Sequence, residues 1–167
     1  MAIPQTVVQA YGQPAGFAGL GTLTTDTWSA MNAEASANIG FGLGVKPGVK
    51  LKEALLPTAS TSTLQGIVLW SAVYAPGQYG SVDQTATVKG LVPKTMMTLL
   101  TEGRVWVRVD ADTVITANVT RAYWRFETDG AANTLPGTFR HSDDAHVVDV
   151  RGQVKFISGV FTAADGT

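Results

Sequence analysis

The residues with the clearest potential for chemistry lie in one short segment, HSDDAH, at residues 141–146. It contains both histidines of the chain, His141 and His146, together with Asp143 and Asp144. Imidazole and carboxylate groups bind metal ions, so the segment is a candidate metal site. Its H-x4-H spacing, however, is not the i, i+4 spacing that places two ligands on one face of a helix. We therefore expect a solvated loop beside a sheet edge and no bound metal.

Two pairs of carboxylates are close enough in sequence to consider acid–base catalysis, Asp110 with Asp112 and Asp143 with Asp144. Glycosidases use such pairs, but usually in larger folds with aromatic-lined clefts. The sequence has no nucleophile elbow (G-x-S-x-G), no phosphate-binding loop (G-x-x-x-x-G-K-[ST]) and no cysteine. These observations predict a protein that is not an enzyme and that uses no cofactor.

Arginine and aromatic residues alternate with aliphatic residues in two segments. The first is RVWVRVD at 104–110; the second is RAYWRFE at 121–127, where Ala122, Trp124 and Phe126 face away from the tyrosine and the arginines. Trp, Tyr and Arg are enriched among the residues that dominate protein–protein binding. The alternation therefore predicts an interface. Its predicted residues are Arg104, Trp106, Arg108, Tyr123 and Arg125.

The overall charge and hydropathy exclude several classes of protein. The 167 residues include 12 basic and 13 acidic side chains, for a net charge of −1. A protein that binds nucleic-acid phosphates carries a basic face, so nucleic acid is not an expected partner. The apolar residues are too dispersed for a membrane span, and the opening MAIPQTVVQAYG lacks the features of a signal peptide. We expect a folded protein made in a cytosol.

Frequent Thr and Val with 18 glycines favour strands joined by turns. Residues 39–45 alternate glycine with bulky residues, which leaves one face bare for another backbone to approach. Residues 66–74 are apolar on both faces and predict a central strand. Residues 101–103 predict the turn of a hairpin. The whole pattern predicts a mainly β protein, a single β-sandwich or β-barrel with at most one short helix. Further strands are predicted within 121–127, 137–142, 146–150 and 153–161.

The first part of the chain differs from the rest. Glycine and proline interrupt residues 1–24, which predicts an extended arm that orders against another surface. Residues 27–37 predict a short helix with Asp26 as its N-cap. The expected organisation is an arm over 1–38 and a β-rich body over 39–167. The predicted anchors of the arm are Phe17, Leu20 and Leu23.

The order of the motifs carries a family resemblance. The chain opens with MAIP, an Asn-Ala-Glu segment leads to Phe41-Gly42, and a GIV strand at 66–68 is followed by EGRVWVRVD at 102–110. The later motifs are Tyr123–Arg125, PGTFR at 136–140 and a strand at 152–156. This order is similar to that of the small cement (decoration) proteins of tailed-phage capsids. Residues 75–95 and 141–146 depart from that family's pattern.

The resemblance implies an all-β, commonly trimeric protein on the outer surface of the capsid. Its partners would be the major capsid protein and two further copies of itself. Made in the cytoplasm of the host bacterium, it would join adjacent capsid subunits and stabilise the shell against the pressure of the DNA inside. In this interpretation, the predicted interface residues and the arm supply the contacts.

A different class of function also fits the sequence. A carbohydrate-binding β-sandwich on a virion surface would use an exposed tryptophan as a platform for sugars, and Trp70, Trp106 and Trp124 are the candidates. Such a module binds glycans in isolation. A cement protein instead binds capsids.

The solution mass tests the trimer that the resemblance implies. Light scattering on the purified protein is expected to give about three times the 17.5 kDa chain mass. A stable monomer at micromolar concentration would contradict a trimer.

Overall fold

A computed structural model of the chain describes residues 19, 21–70, 82–83, 90–110, 115, 121–130 and 135–157. Every regular element in these residues is a β-strand, which confirms the prediction of a mainly β protein. No helix in this part of the chain is long and apolar enough to cross a membrane. The strands are β1 (Gly21–Asn32), β2 (Ile39–Gly40), β3 (Gly44–Pro47), β4 (Glu53–Leu55), β5 (Gly66–Val68), β6 (Val82–Asp83), β7 (Gly90–Leu91), β8 (Met96–Val105), β9 (Tyr123–Arg125), β10 (Phe139–Arg140) and β11 (Val147–Asp149).

Five of the strands close into a barrel in the order β1-β4-β3-β5-β8. β1 and β4 run parallel, and the other neighbours run antiparallel. β5 lies between β3 and β8, and all of Gly66–Val68 is buried, which confirms the central strand predicted over 66–74 for its first three residues. Leu69 and Trp70 lie beyond the end of β5, and residues 71–74 fall outside the described residues. Of the two architectures left open by the sequence, the main sheet therefore adopts the barrel, in which closure satisfies the edges.

The predicted helix over 27–37 is wrong, because β1 extends to Asn32 and pairs with β8 along most of its length. The segment before Trp28 is rich in threonine, whose branched side chain favours extended backbone. β8 supplies the backbone hydrogen bonds that a helix would have made internally. Asp26 does not cap a helix; its carboxylate accepts a hydrogen bond from the Thr101 hydroxyl at 2.8 Å.

The hairpin turn predicted at 101–103 is also wrong. β8 runs through these residues without reversing, and its neighbours are β1 and β5 rather than the segment that follows it. Gly103, with φ of 142°, lies opposite Thr24, close to a register shift between the two strands. A glycine tolerates this left-handed backbone region, so the strand can bulge there instead of turning.

Two three-stranded sheets accompany the barrel, β2-β7-β6 and β10-β9-β11. The second sheet confirms the strands predicted within 121–127, 137–142 and 146–150. The strand predicted over 153–161 does not form over residues 153–157, which are the part of it that the structure describes.

The described apolar side chains form two cores, one inside the barrel and one outside it. All five barrel strands contribute to the inner core, which includes Ala30, Val45, Ala54, Val68 and Leu99. The outer core joins the other face of β5 to the β10-β9-β11 sheet. Its buried members are Ile67, Ala122, Trp124, Phe139, Val150 and Phe156.

Gly44 allows the outer sheet to approach the barrel. A Cβ atom at this position would lie 2.5 Å from Nε1 of Trp124 and 2.8 Å from Cδ1 of Leu64. The Gly44 amide also donates a hydrogen bond to the Gly137 carbonyl at 2.8 Å. The close backbone approach predicted for residues 39–45 is thus confirmed at Gly44.

Replacing Gly44 with alanine is expected to destabilise the protein by ~1–3 kcal/mol, because the added methyl group overpacks against Trp124. The measurement is the midpoint of urea unfolding. Gly152→Ala is the matched control, since a Cβ there would have no neighbour within 4 Å. Equal effects of the two substitutions would contradict the close packing at Gly44.

Candidate functional site

An open groove of about 580 Å³ lies at the end of β8. The C-terminal half of β8 forms one wall, and residues 64–67 and 153–157 form the others. Arg104 and Trp106, both predicted interface residues, line the groove together with the apolar side chains of Val105 and Phe156. The groove thus combines an apolar wall with an arginine and a tryptophan, the residue types that anchor protein–protein contacts.

The N-terminal residues join the barrel beside Trp106. The Gly19 amide donates to the Trp106 carbonyl at 2.7 Å, and the Trp70 amide donates to the Gly19 carbonyl at 2.8 Å. Gly19 has φ of +79°, and a Cβ there would lie 2.8 Å from that of Phe41. Only glycine fits this position easily. Gly19 is therefore fixed beside Trp106, which lines the groove.

The predicted anchors of the arm fall largely outside the described residues. Phe17 and Leu20 are not described, and Leu23 is described only as part of β1. Their role as anchors stays a prediction.

Arg108 has the most unusual environment among the predicted interface residues. Its backbone is fixed by two hydrogen bonds, from its amide to the Gly42 carbonyl at 3.1 Å and from the Phe139 amide to its carbonyl at 2.9 Å. Its side chain is half-buried, and this burial lowers the pKa of the Arg108 guanidinium. Among the described residues, no carboxylate forms an ion pair with it. A desolvated guanidinium of this kind gains from an acceptor that a partner brings.

Tyr123 and Arg125 do not form the exposed face predicted for them. Both side chains are buried, and the Arg125 side chain is 0% exposed. The alternation of β9 was predicted correctly, but β9 is the middle strand of its sheet and is covered on both faces. Tyr123 and Arg125 are therefore covered by residues of their own chain, and the contacts that the structure gives them are internal.

Arg125 is the centre of a buried ionic network. Its Nε donates to Asp110 Oδ2 at 2.9 Å, and its Nη2 donates to Asp144 Oδ2 at 3.1 Å. Its Nη1 donates to the Glu127 carbonyl at 3.1 Å. The second oxygen of Asp110 accepts a hydrogen bond from the Thr138 hydroxyl at 2.5 Å. Each nitrogen of the guanidinium thus has an acceptor, which is the condition for burying this charge at acceptable cost.

The network also explains the segment at 141–146. Asp144 accepts hydrogen bonds from Arg125 and Arg140, and its second oxygen accepts one from the His146 amide at 2.6 Å. The segment is therefore an anchored turn rather than the solvated loop expected from the sequence. In the described residues, no three histidine or acidic side chains are arranged to hold a metal ion.

The three tryptophans proposed as platforms for sugars differ in their exposure to solvent. Trp124 is 0% exposed in the outer core, so its proposed role as a platform is wrong. Trp70 and Trp106 are partly exposed, and both lie at Gly19.

Two exposed aliphatic residues that the sequence analysis did not predict as contacts, Val49 and Leu51, lie at the tip of the β3–β4 hairpin. The sequence does contain a pattern that indicates them, because the Pro-Gly turn at 47–48 is followed by two aliphatic residues that alternate with lysines. Aliphatic side chains at a turn have no core to enter, so they mark a candidate contact.

Removing the central charge of the network tests its role in stability. Arg125→Met is expected to lower the free energy of unfolding by ~3–5 kcal/mol, because it leaves Asp110 buried without its partner. Arg151→Met is the matched control. It removes an exposed arginine that pairs with Asp149 at 2.7 Å, and its expected cost is below ~1 kcal/mol. Chemical denaturation of both variants measures the difference, and equal losses would show that the buried network does not stabilise the fold.

Comparison with known proteins agrees with the resemblance seen in the sequence. The family described as structural cement protein (E217 gp24/Pam3 gp6), of phages, matches residues 3–167. No curated protein matches the chain. Segments that carry the resemblance, 102–110, 123–125 and 136–140, meet in the buried network around Arg125. The match covers nearly the whole chain, and the protein therefore belongs to the phage structural cement protein family.

Proposed function

We propose that this protein binds the outer surface of the phage capsid as a homotrimer and cements adjacent major capsid protein subunits. It acts without catalysis and stabilises the shell against the outward pressure of the packaged DNA. Membership of the structural cement family supports the structural role in a capsid. The details of the contact are argued from the surface at the end of β8.

The observation that carries the proposal is the groove lined by Trp106. It is supported by the half-buried guanidinium of Arg108, two residues along the chain. Folding has already removed part of the Arg108 guanidinium from water, and no carboxylate of the described residues forms an ion pair with it. A carboxylate on the major capsid protein would form a charge-assisted pair at this point. Trp106 offers aromatic area in the groove, and tryptophan and arginine are the residue types enriched in binding hot spots.

The position of Gly19 supports a contribution from the N-terminal residues. Gly19 is hydrogen-bonded to the backbones of both Trp106 and Trp70, so it lies at the rim of the proposed contact. An arm that orders against a capsid subunit would add main-chain hydrogen bonds, as a strand added to a sheet edge does. The arm and the groove would then bind as one continuous surface.

The stabilising mechanism is mass action. A protein that binds the assembled shell, and not the free subunit, favours assembly by RT ln(1 + [L]/Kd) at each site. A trimer adds avidity, because each further contact is made at high effective concentration. The small net charge of −1 allows many copies to crowd on one particle with little mutual repulsion.

Substitutions in the groove test the proposed contact. Capsids assembled without cement protein are incubated with the purified protein, and sedimentation measures the bound fraction. Trp106→Ala and Arg108→Ala are each expected to weaken binding by ~2 kcal/mol, about 30-fold in Kd. Arg108→Lys keeps the charge but loses the planar fork, so an intermediate loss is expected.

Arg151→Ala is the control, because that exposed arginine already pairs with Asp149. It should bind as the unmodified protein does. Thermal unfolding confirms that each variant is folded. Unchanged binding by both the Trp106 and the Arg108 variants would remove the groove from the contact.

A further inference from the structure

The hairpin between β3 and β4 ends in an apolar tip. Val49 is 95% exposed and Leu51 is 85% exposed, the highest values among the large hydrophobic residues that the structure describes. Neither side chain contributes to the two apolar cores of the described residues. Exposing two neighbouring aliphatic side chains costs solvation free energy, and such exposure marks interaction sites.

The tip has a fixed shape. The Gly48 amide donates to the Glu53 carbonyl at 2.8 Å, and the Lys50 amide donates to the Glu53 carboxylate at 3.0 Å. The Met31 amide of β1 donates to the Lys52 carbonyl at 2.7 Å, which ties the turn to the barrel. Lys52 is held at φ of 64° by these contacts. A partner would therefore meet a preorganised surface and would lose little binding energy to ordering it.

The tip is also basic. Lys50 and Lys52 are exposed and alternate with the two aliphatic residues, and no described carboxylate pairs with either. The one nearby acid, Glu53, uses its carboxylate on the Lys50 amide. The complementary surface is an apolar depression with acidic residues around its rim.

The tip and the groove lie at opposite ends of β8. Met31 is opposite both Glu53 of β4 and Met96, the first residue of β8, which places the tip where β8 begins. The groove is lined by the second half of β8, from Leu100 onward. Because each strand residue adds about 3.3 Å, Met96 lies roughly 13 Å along β8 from Leu100, where the groove begins, and roughly 30 Å from Val105 at the end of the strand.

We propose that the Val49–Leu51 tip is a second docking point, which inserts into an acid-rimmed apolar depression on a capsid subunit different from the one bound at the Trp106 groove. This inference rests on the proposed capsid function and deepens it. With one contact at each end of a closed barrel, a single copy links two subunits. A copy that binds two capsid subunits at once gains avidity and stabilises the boundary between them.

Charge argues against a second copy of this chain as the occupant of the tip. Two tips that met each other would bring their lysines together, and like charges across an interface cost binding energy. The apolar groove of another copy would also be unfavourable. Its charged lining consists of Glu102, Arg104 and Lys155, which carries a net positive charge toward the lysines of the tip.

Binding to cement-free capsids of the phage that encodes this chain tests the proposal. Val49→Ser/Leu51→Ser is expected to weaken binding at least tenfold. Val49→Ile/Leu51→Met, which keeps the tip apolar, is the matched control and should bind as the unmodified protein does. The affinity for capsids should also fall at least tenfold in Lys50→Glu/Lys52→Glu, whereas it should be unchanged in Lys50→Arg/Lys52→Arg. Because the four side chains are exposed, thermal unfolding should be unchanged in every variant.

The outcomes separate the two proposals. If the unmodified protein binds capsids and the serine variant binds equally well, the second docking point is wrong and the capsid function stands. If the unmodified protein does not bind capsids at all, both proposals fail. If the serine variant instead lowers the solution mass measured by light scattering, the tip joins copies of this chain and the capsid docking is overturned.

Discussion

The buried guanidinium of Arg125 is the constraint on which the outer half of the molecule depends. A charge removed from water requires a full set of acceptors, and these come from three parts of the chain, while a fourth part orients one of them. Asp110 follows β8, Glu127 follows β9, Thr138 orients Asp110 from just before β10, and Asp144 lies in the turn after it. Satisfying one arginine therefore fixes the relative positions of the outer sheet, the turn at 141–146 and the end of β8.

The same network explains why a cement protein can be recognised from short motifs without a catalytic signature. Three segments that carry the resemblance each contribute a buried residue to the network, namely Asp110, Arg125 and Thr138. Trp124, in one of them, also packs against Gly44 of the barrel. The proposed contact at the end of β8 comes from one of these same segments, through Trp106 and Arg108, whereas the tip at Val49 lies outside them. One segment thus serves both the fold and the proposed contact, since Asp110 joins the buried network and Trp106, four residues earlier, lines the groove.

A closed barrel suits a protein whose proposed work is mechanical. Each barrel strand is hydrogen-bonded on both sides, and the five strands share one apolar interior. The distance between its two ends is therefore set by backbone hydrogen bonds rather than by a flexible linker. A rigid spacer of this kind transmits load between two contacts, whereas a flexible one would allow the joined subunits to separate.

The sequence alone determined the β class, the buried strand at 66–68, the close approach at Gly44 and the family, because each depends on local composition, alternation or motif order. Tertiary structure decided the rest. The partner of β8 is β1, and the hydrogen bond between Asp26 and Thr101 spans 75 residues. A local sequence pattern cannot show a pairing over this distance, and the predicted helix and turn were therefore wrong. Alternation likewise places Arg125 opposite Trp124, but it does not tell which face is covered. The acceptors that distant segments bring, Asp110 after β8 and Asp144 in the 141–146 turn, make Arg125 an interior ion rather than a surface contact.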